Sequence, residues 1–394
     1  MDTSVYVFAE DLAEGVDQVL DRITGYGAAG VTIAAAYHQT RDVTPHGATR
    51  LTVRHDGVRF PLPDGLFGRL LPPLQPPLPL AELTRPGLAR HGWTVFLRNA
   101  AIGALHPEVT VRNCFGDRGS PADLCPAHPD VREYAVALAR AVARQGFDSV
   151  VAEDLHFRPF SQERCAVPLG PMDAFLFGLC FCHHCLRRAA DLGVNAEVAR
   201  EECGRIVGGV LDGDPPAQGE VTRAALTAYA GPEVVAYARA RSETVTTLVA
   251  EVSAAVTEEG STLTFTDGTG GAKGYADGLP PAGLAAHDAW QLGVDLVALG
   301  DIVPSFAVLA FARDAARVAD DIAAYQRSVG KDRELRAVLR PGAPDIAALG
   351  ETDATDRLAA KVRAAKAAGA TAVDFYAYGL APLNTLARIK NSLG

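Results

Sequence analysis

The stretch PDVREYAVALARAVARQGFDSVVAED, residues 129–154, contains the pattern from which the fold is predicted. Apolar residues recur at helical spacing over Val131–Arg144, after an opening Pro-Asp pair and before a closing Gly146. The short β-branched run Ser149–Ala152 follows at once and is typical of a buried strand. A helix that ends in glycine and leads directly into a strand is half of a repeating βα unit.

The same alternation of short strands and amphipathic helices continues along the whole chain. Eight strands are predicted, at Val5–Phe8, Val31–Tyr37, Thr94–Leu97, Ser149–Ala152, Thr262–Thr266, Leu296–Leu299, Leu335–Leu339 and Ala372–Tyr376. Further helices are predicted at Leu12–Thr24, Val234–Glu258, Ala312–Ser328 and Arg357–Ala368. Eight such units predict an α/β fold, a closed (β/α)8 TIM barrel, which needs about 250 residues. An open doubly wound sheet is disfavoured because no Gly-rich phosphate loop follows the first strand.

The 394 residues are predicted to form one barrel domain, 1–394, with the surplus in two insertions. One spans 39–79 after the second strand, and the other spans 155–231 after the fourth. The Pro-rich run that ends the first insertion is interpreted as a rigid rim loop rather than a polyproline ligand for a partner domain. Both insertions follow strands, so both belong to the carboxyl-terminal face, where barrel active sites are built.

Charge and cysteine content narrow the functional classes. The net charge of −10 argues against nucleic acid or an anionic membrane surface as a partner. No apolar run reaches the roughly 18–20 residues that cross a bilayer, and the N-terminus lacks signal-peptide features. We therefore expect a cytoplasmic protein, with homo-oligomerisation left open. Seven cysteines in a reducing compartment are better explained as metal ligands or reactive thiols than as disulfides.

Three of these cysteines lie within six residues, in the segment Cys180-Phe-Cys182-His-His-Cys185. This C-x-C-x2-C spacing places three thiolates within reach of one tetrahedral ion. A zinc ion needs a fourth ligand, and the residue types alone leave six candidates: Cys114, Cys125, Cys165, Cys203, His183 and His184.

The segment LCPAHPDVREY, residues 124–134, resembles the Cys-Pro-x-x-Pro-x-x-Arg-Glu-Tyr segment of the zinc-containing β-galactosidases of glycoside hydrolase family 42. The resemblance extends over roughly residues 90–190. It implies a zinc ion with four thiolate ligands, Cys125, Cys180, Cys182 and Cys185. A sphere closed by four thiolates leaves no position for water, so such a zinc is structural. The Phe-Tyr-x-Tyr-Gly pattern at 375–379 is similar to that of uncharacterised actinobacterial glycosidase-like barrel proteins.

Hydrolysis of a glycosidic bond needs one carboxylic acid for the leaving oxygen and a second carboxylate as nucleophile or base. The resemblance implies that Glu153, at the end of the fourth strand, is the acid/base, with Ala152 in place of the family's asparagine. Asp154 is expected to orient a ligand or to turn outward. The family's nucleophile ends the seventh strand, but here that strand runs into Leu339-Arg340 and carries no carboxylate.

Asp267 is predicted as the second carboxylate because it ends the strand next to that of Glu153. Asp301 and Glu10 are the alternatives, and Asp267 fits a turn-forming Asp-Gly role equally well. Other polar side chains at strand ends are predicted to bind a sugar: His38, Arg98, Asn99, Asp154, Arg340, Tyr376 and Tyr378.

The sequence therefore predicts a glycoside hydrolase-like enzyme that acts on a small carbohydrate or glycoside by carboxylate acid/base catalysis. A lyase or isomerase on a sugar-like metabolite is the alternative that the missing carboxylate favours. A barrel that binds a carbohydrate without cleaving it is the third hypothesis.

Overall fold

The computed structural model describes residues 2–47, 49–160, 167, 169–272, 283–312, 314–341 and 354–394, the last range without the side chains of 354–356. In these ranges the strands are β1 Asp2–Val7, β2 Gly30–Tyr37, β3 Thr40–Val43, β4 Leu51–Arg54, β5 Gly57–Val58, β6 Ala89–Val95, β7 Ser149–Glu153, β8 Thr262–Asp267, β9 Ser305–Leu309, β10 Glu334–Leu339 and β11 Ala372–Phe375.

Eight of these strands close into a parallel barrel in the order β1, β2, β6, β7, β8, β9, β10, β11. Closure is made by β1, which pairs with β2 on one side and with β11 on the other. All eight residues of β2 are buried, as expected for parallel strands covered on both faces. The predicted (β/α)8 barrel is confirmed.

Helices connect the barrel strands and pack around them. They are α1 Val16–Gly25, α2 Ala100–Leu105, α3 Pro129–Ala143, α4 Pro171–Phe177, α5 His183–Asp191, α6 Ala196–Leu211, α7 Arg223–Glu258, α8 Thr269–Ala272, α9 Ala285–Asp288, α10 Leu296–Gly300, α11 Ala315–Val329, α12 Ala354–Ala367, α13 Leu383–Leu386 and α14 Arg388–Leu393. In the described ranges, none of these helices combines the length and the apolar character needed to cross a bilayer.

The predicted strand Leu296–Leu299 is wrong, because this segment is the helix α10. Asp295 caps the helix by accepting hydrogen bonds from the N–H groups of Val297 and Ala298. A run of four apolar residues has no period that separates a buried strand from a helix turn. The sixth barrel strand is β9, and Asp301 precedes it, at the end of the barrel opposite to the carboxyl-terminal face.

The chain between β2 and β6 forms a hairpin over the barrel. Strands β3 and β4 pair antiparallel, with Thr40 opposite Arg54, and β5 adds antiparallel to β2. The Arg54 guanidinium lies 3.7 Å from the ring centroid of Phe8, which directly follows β1. The hairpin therefore carries polar side chains to the carboxyl-terminal ends of the barrel strands.

Candidate functional site

Glu153 ends β7 with its carboxylate turned toward the barrel interior. The indole Nε1 of Trp93, on neighbouring β6, donates a hydrogen bond to Glu153 Oε2 at 2.5 Å. Burial raises the pKa of Glu153 from 4.5 to about 7, and the charge of Asp154 raises it as well. The Trp93 hydrogen bond and two guanidinium groups, Arg98 and Arg158, act in the opposite direction. A carboxyl group with such a pKa can give and take back a proton near neutral pH.

Four aromatic rings surround Trp93, and a fifth packs behind them, so that together they form one wall of the site. Ring centroids of Tyr37, Tyr6, Phe8 and Tyr376 lie 4.7, 5.1, 5.2 and 5.7 Å from that of Trp93, and Phe311 packs on Tyr376 at 5.8 Å. Burial and the nearby Glu153 raise the pKa of Tyr376 to about 12, so its hydroxyl keeps its proton and can donate a hydrogen bond. The sequence-based prediction missed Trp93, because the predicted strand began one residue later.

Asp154 follows Glu153 with a φ of 53°, the left-handed region that residues with a β-carbon rarely adopt. Its carboxylate binds Arg158 Nη1 at 2.7 Å, and Arg158 Nε also binds Asp123 at 2.9 Å. Burial alone would raise the pKa of Asp154, but the Arg158 charge and others lower it below its usual value. Two successive carboxyl groups thus have opposite shifts, which separates a proton donor from a permanent anion.

His38 and Arg98 lie together beside this pair. His38 Nδ1 faces the carbonyl of Gln39 at 3.0 Å, and its Nε2 accepts a hydrogen bond from Arg98 Nη1 at 3.2 Å. Burial lowers the pKa of His38 to about 4, and the Arg98 charge contributes to that shift, so the imidazole is neutral. Arg98 lies two residues after Phe96, whose N–H donates a hydrogen bond to the Glu153 carbonyl at 2.9 Å. The backbone that leads to Arg98 is thereby fixed to the end of β7.

Arg340 also reaches the aromatic wall. Its guanidinium lies 4.0 Å from the ring centroid of Phe311, the residue that packs on Tyr376. Among the predicted sugar-binding residues, His38, Arg98, Asp154, Arg340 and Tyr376 therefore lie around Glu153 and its aromatic wall.

Two other predicted sugar-binding residues have structural contacts instead. Asn99, 4% exposed, caps α2 by accepting a hydrogen bond from the Ile102 N–H at 2.9 Å. The Tyr378 hydroxyl accepts a hydrogen bond from Arg22 Nη1 at 2.7 Å and lies 3.4 Å from Glu14. Neither set of contacts includes Glu153, so neither residue is brought to the site by the fold.

Asp267 ends β8 on the face that points away from the barrel interior. Side chains alternate along a strand, and Thr264, on the other face of β8, bonds Ser305 of β9. Asp267 accepts hydrogen bonds from the Thr269 N–H at 3.1 Å, from the Thr269 hydroxyl at 2.7 Å, and from the Tyr325 hydroxyl of α11. These contacts fit the turn-forming role of Asp267. Its role as a catalytic partner stays a prediction, and these contacts do not favour it.

The hairpin brings to the site Asp42, a carboxylate that the prediction did not name, and joins it through Arg54 to Glu10, which follows β1. Arg54, 2% exposed, binds Asp42 Oδ2 at 2.5 Å and Glu10 Oε2 at 3.1 Å while lying over Phe8. Asp42 acts electrostatically on Tyr376, as Glu153 does. Glu10 was considered as an alternative, but no local pattern marks Asp42, because its place depends on how the hairpin folds over the barrel.

A second cluster lies apart from this pocket and consists of cysteines alone. The Sγ atom of Cys125 lies 3.4 Å from that of Cys185, 3.5 Å from that of Cys182 and 3.8 Å from that of Cys180. All four sulfurs lie within 4.8 Å of one another. Thiolates around a tetrahedral zinc at 2.3 Å have an edge length of about 3.8 Å. The cluster can therefore bind a metal ion.

The surroundings of the cysteine cluster suit negatively charged sulfurs. The Arg112 N–H donates to Cys180 Sγ at 3.4 Å, and the buried Arg241 guanidinium interacts electrostatically with three of the cysteines. Cys125 precedes α3, whereas the other three lie between α4 and the first turn of α5, so the cluster joins distant parts of the chain. Of the other candidate ligands, Cys165 lies outside the described residues.

No protein-family model matches the chain, and no curated protein matches its sequence. Solved structures do match. The β-galactosidase of the psychrophilic Marinomonas ef1 aligns with 100% of this chain and 58% of its own, at a TM-score of 0.58 and 13% identity. The β-galactosidase of Rahnella sp. R3 aligns with 99% of this chain and 55% of its own, at a TM-score of 0.54 and 11% identity.

An α-L-fucosidase isoenzyme of Paenibacillus thiaminolyticus aligns with 100% of this chain and 49% of its own, at a TM-score of 0.51 and 11% identity. The shared feature is the (β/α)8 barrel. This chain spans about half to three fifths of the length of these three proteins. At such low sequence identities the likeness shows a shared fold and no more. The structural neighbours of this chain are glycoside hydrolases.

Proposed function

We propose that this protein is a glycoside hydrolase-like enzyme in which Glu153 is the general acid/base. The observation that carries the proposal is a half-buried carboxyl group with a pKa of about 7 at the carboxyl-terminal end of a barrel strand. Active sites of (β/α)8 barrels are built at that end. An ordinary surface glutamate has lost its proton at neutral pH, whereas the raised pKa of Glu153 lets this carboxyl group hold a proton near that pH.

In this mechanism Glu153 protonates the glycosidic oxygen as the bond to the leaving group breaks. The Trp93 N–H stabilises the carboxylate that remains and holds its orientation. Asp154 stays ionised beside Arg158, so it keeps the pKa of Glu153 high without competing for the proton. The protonated Tyr376 hydroxyl and the aromatic wall supply a hydrogen-bond donor and apolar faces, the groups that recognise a sugar ring.

For the second carboxylate we favour Asp42 over Asp267. Asp42 approaches Tyr376 from the hairpin while Glu153 approaches it from β7. Arg54 Nη1 binds Asp42 Oδ2 at 2.5 Å and so fixes the direction of this carboxylate, as a nucleophile or a base for water requires. Asp267 is directed at α11, away from the barrel interior, and both of its oxygens accept hydrogen bonds, from Thr269 and from Tyr325.

We further propose that Cys125, Cys180, Cys182 and Cys185 bind one structural zinc ion. The ligand type and the sulfur spacing support this assignment, since four thiolates at these distances suit a tetrahedral zinc and leave no open position. The ion would link the loop before α3 to the segment around α5, and no catalytic step depends on it.

A screen of 4-nitrophenyl glycosides with wild-type protein and Glu153→Gln tests the proposed activity. We expect release of nitrophenol from at least one small glycoside by the wild type. The loss of activity in the variant should be large on an alkyl glycoside of the same sugar and smaller on the nitrophenyl glycoside. Phe157→Leu, a change at a buried residue outside the proposed chemistry, controls for general damage. Turnover of the alkyl glycoside by Glu153→Gln at the wild-type rate would contradict the assignment.

A lyase or isomerase acting on a sugar-like metabolite is a second candidate. The arginines around Glu153 favour it, because Arg98 and Arg158 both act on this carboxyl group. Such an enzyme would leave every nitrophenyl glycoside intact yet turn over a sugar acid or ketose with loss of activity in Glu153→Gln. The same pair of proteins therefore separates the two functions.

A further inference from the structure

A cavity of about 450 Å³ opens at the carboxyl-terminal face of the barrel, between the hairpin and the residues that follow β6. Thr40, Arg41 and Val53 line it on the hairpin side, and His38 and Arg98 line it on the barrel side. A chain of contacts connects the cavity to Glu153. His38 stacks on Tyr37 with ring centroids 4.4 Å apart, Tyr37 packs on Trp93 at 4.7 Å, and Trp93 donates its hydrogen bond to Glu153. The cavity is therefore a candidate extension of the site at Glu153.

The charge of Arg98 is not matched by a direct ion pair. In the described part of the chain its side chain bonds the His38 imidazole at 3.2 Å, and no carboxylate lies within salt-bridge distance of it. His38 Nδ1 faces a carbonyl, so Nε2 is the acceptor and the ring carries no charge. Arg98 is thus held in place by a neutral group, and its other guanidinium N–H groups can donate to a further acceptor.

The carboxylates near this cavity are bound elsewhere. Asp154 and Asp123 both bind Arg158, at 2.7 and 2.9 Å. Asp56, which also lines the cavity, accepts the backbone N–H groups of Gln39 at 3.0 Å and Ala101 at 3.1 Å, one on each oxygen. Arg41, exposed at the rim, adds a second positive charge. The cavity therefore offers its unpaired donors to an anion.

We propose that this cavity is a subsite for the anionic group, a carboxylate or a phosphate, of an acidic glycoside whose glycosidic bond lies at Glu153. The inference rests on the proposed function and names its substrate class. Charge-assisted hydrogen bonds between a guanidinium and a carboxylate or phosphate are about twice as strong as neutral ones. An uncharged glycoside leaves Arg98 with water instead, so the protein binds it more weakly.

Equilibrium binding tests the subsite without turnover. Glu153→Gln protein, purified as the full chain with its metal, is titrated in a calorimeter with three methyl β-D-galactosides that differ at C6: the alcohol, the carboxylate and the 6-phosphate. The corresponding methyl β-D-glucosides form a second series. We expect one acidic form to bind at least about tenfold more tightly than its uncharged counterpart, a preference of about 1.4 kcal/mol. The tighter of the two acidic forms tells whether the natural group is a carboxylate or a phosphate.

Substitution of Arg98 localises the effect. Arg98→Gln in the Glu153→Gln background should abolish the preference for the acidic form, and Arg98→Lys should retain part of it. Arg205→Gln, which removes an exposed charge from α6, is the matched control and should leave the preference unchanged. Unfolding temperatures of all variants show whether each one folds.

Equal affinity for charged and uncharged glycosides, no binding of either acidic form, or a preference that survives Arg98→Gln would overturn the subsite. Cleavage of uncharged glycosides without binding of acidic ones would overturn it while the proposed hydrolase function stands. Selective acidic binding without hydrolysis by the wild type would sustain the subsite and reject the hydrolase.

Discussion

The cysteine cluster and the Glu153 pocket are both assembled from residues far apart in sequence, but they are built in different ways. The cluster brings together four identical ligands, each at most 5% exposed, whose sulfurs converge on one point. The pocket brings together unlike groups whose charge states depend on one another, since Asp154 raises the pKa of Glu153 while Arg158 holds Asp154 ionised. A metal site is defined by its ligands, whereas an acid/base site is defined by the environment of its carboxyl group.

The largest effect should come from removing the proposed acid, Glu153. Glu153→Gln keeps the shape of the side chain and removes its proton, so kcat for a glycoside with a poor leaving group should fall at least about a hundredfold. A nitrophenyl leaving group needs little protonation, so the cleavage of such a substrate should suffer less. Single-turnover rates on a paired alkyl and nitrophenyl glycoside measure the difference. An equal loss on both substrates would remove the acid role from Glu153.

Substitution of Asp42 and of Asp267 tests which of the two is the second carboxylate of the pocket. Asp42→Asn should lower kcat at least about tenfold, roughly 1.4 kcal/mol in activation free energy, because the pocket loses its proposed second carboxylate. Asp267→Asn weakens the hydrogen bonds to Thr269 and Tyr325, so it should lower the unfolding temperature more than it lowers kcat. Both quantities are measured on both variants. The reverse pattern would return the catalytic role to Asp267.

Removing one sulfur from the cluster should affect stability rather than chemistry. Cys182→Ser should bind less than half an equivalent of zinc and unfold at a lower temperature, since a metal at a thousand times its dissociation constant stabilises by about 4 kcal/mol. Cys203→Ser, a change at a fully buried cysteine outside the cluster, is the control and should retain the metal. Metal analysis with calorimetric unfolding gives both readouts. Full stability with lost turnover in Cys182→Ser would make the ion catalytic.

The raised pKa of Glu153 should also appear in the pH dependence of stability. Its folded-state pKa of about 7 lies above the ordinary 4.5, so the protonated form stabilises the fold at low pH. That contribution decreases as pH rises from about 4.5 to about 7 and is absent above that range. The unfolding temperature of wild type minus that of Glu153→Gln should therefore fall across this window and then stay constant. Asp11, whose pKa burial also raises to about 7, cancels because both proteins contain it.

The smallest effect should be a shift of the pH–rate profile. Asp154→Asn removes a negative charge beside Glu153 and frees the Arg158 charge, and both changes lower the pKa of Glu153. The alkaline limb of kcat/KM should move to lower pH. Asp148→Asn removes the same charge at the other end of β7 and should leave the limb in place. A limb that does not move in Asp154→Asn would assign it to another group.

Local patterns in the chain determined much of the molecule. Glycine-terminated helices followed by β-branched runs were enough to predict the barrel. Eight successive βα units of this kind can close into a (β/α)8 barrel. Seven of the eight strands were predicted within a few residues of their place. The three clustered cysteines, with the resemblance around Cys125, led to the four residues whose sulfurs converge. Glu153 was predicted at the end of β7, because position along a strand is a local property.

Only the tertiary structure decided the environment of these residues. The direction of Asp267 depends on strand alternation and on Tyr325 from a distant helix. The approach of Asp42 to the site depends on the hairpin folding over Phe8. The pKa of Glu153 arises from burial and from charges on other elements. Electrostatic energies depend on distance and on exclusion of water, and neither quantity exists until the chain has folded.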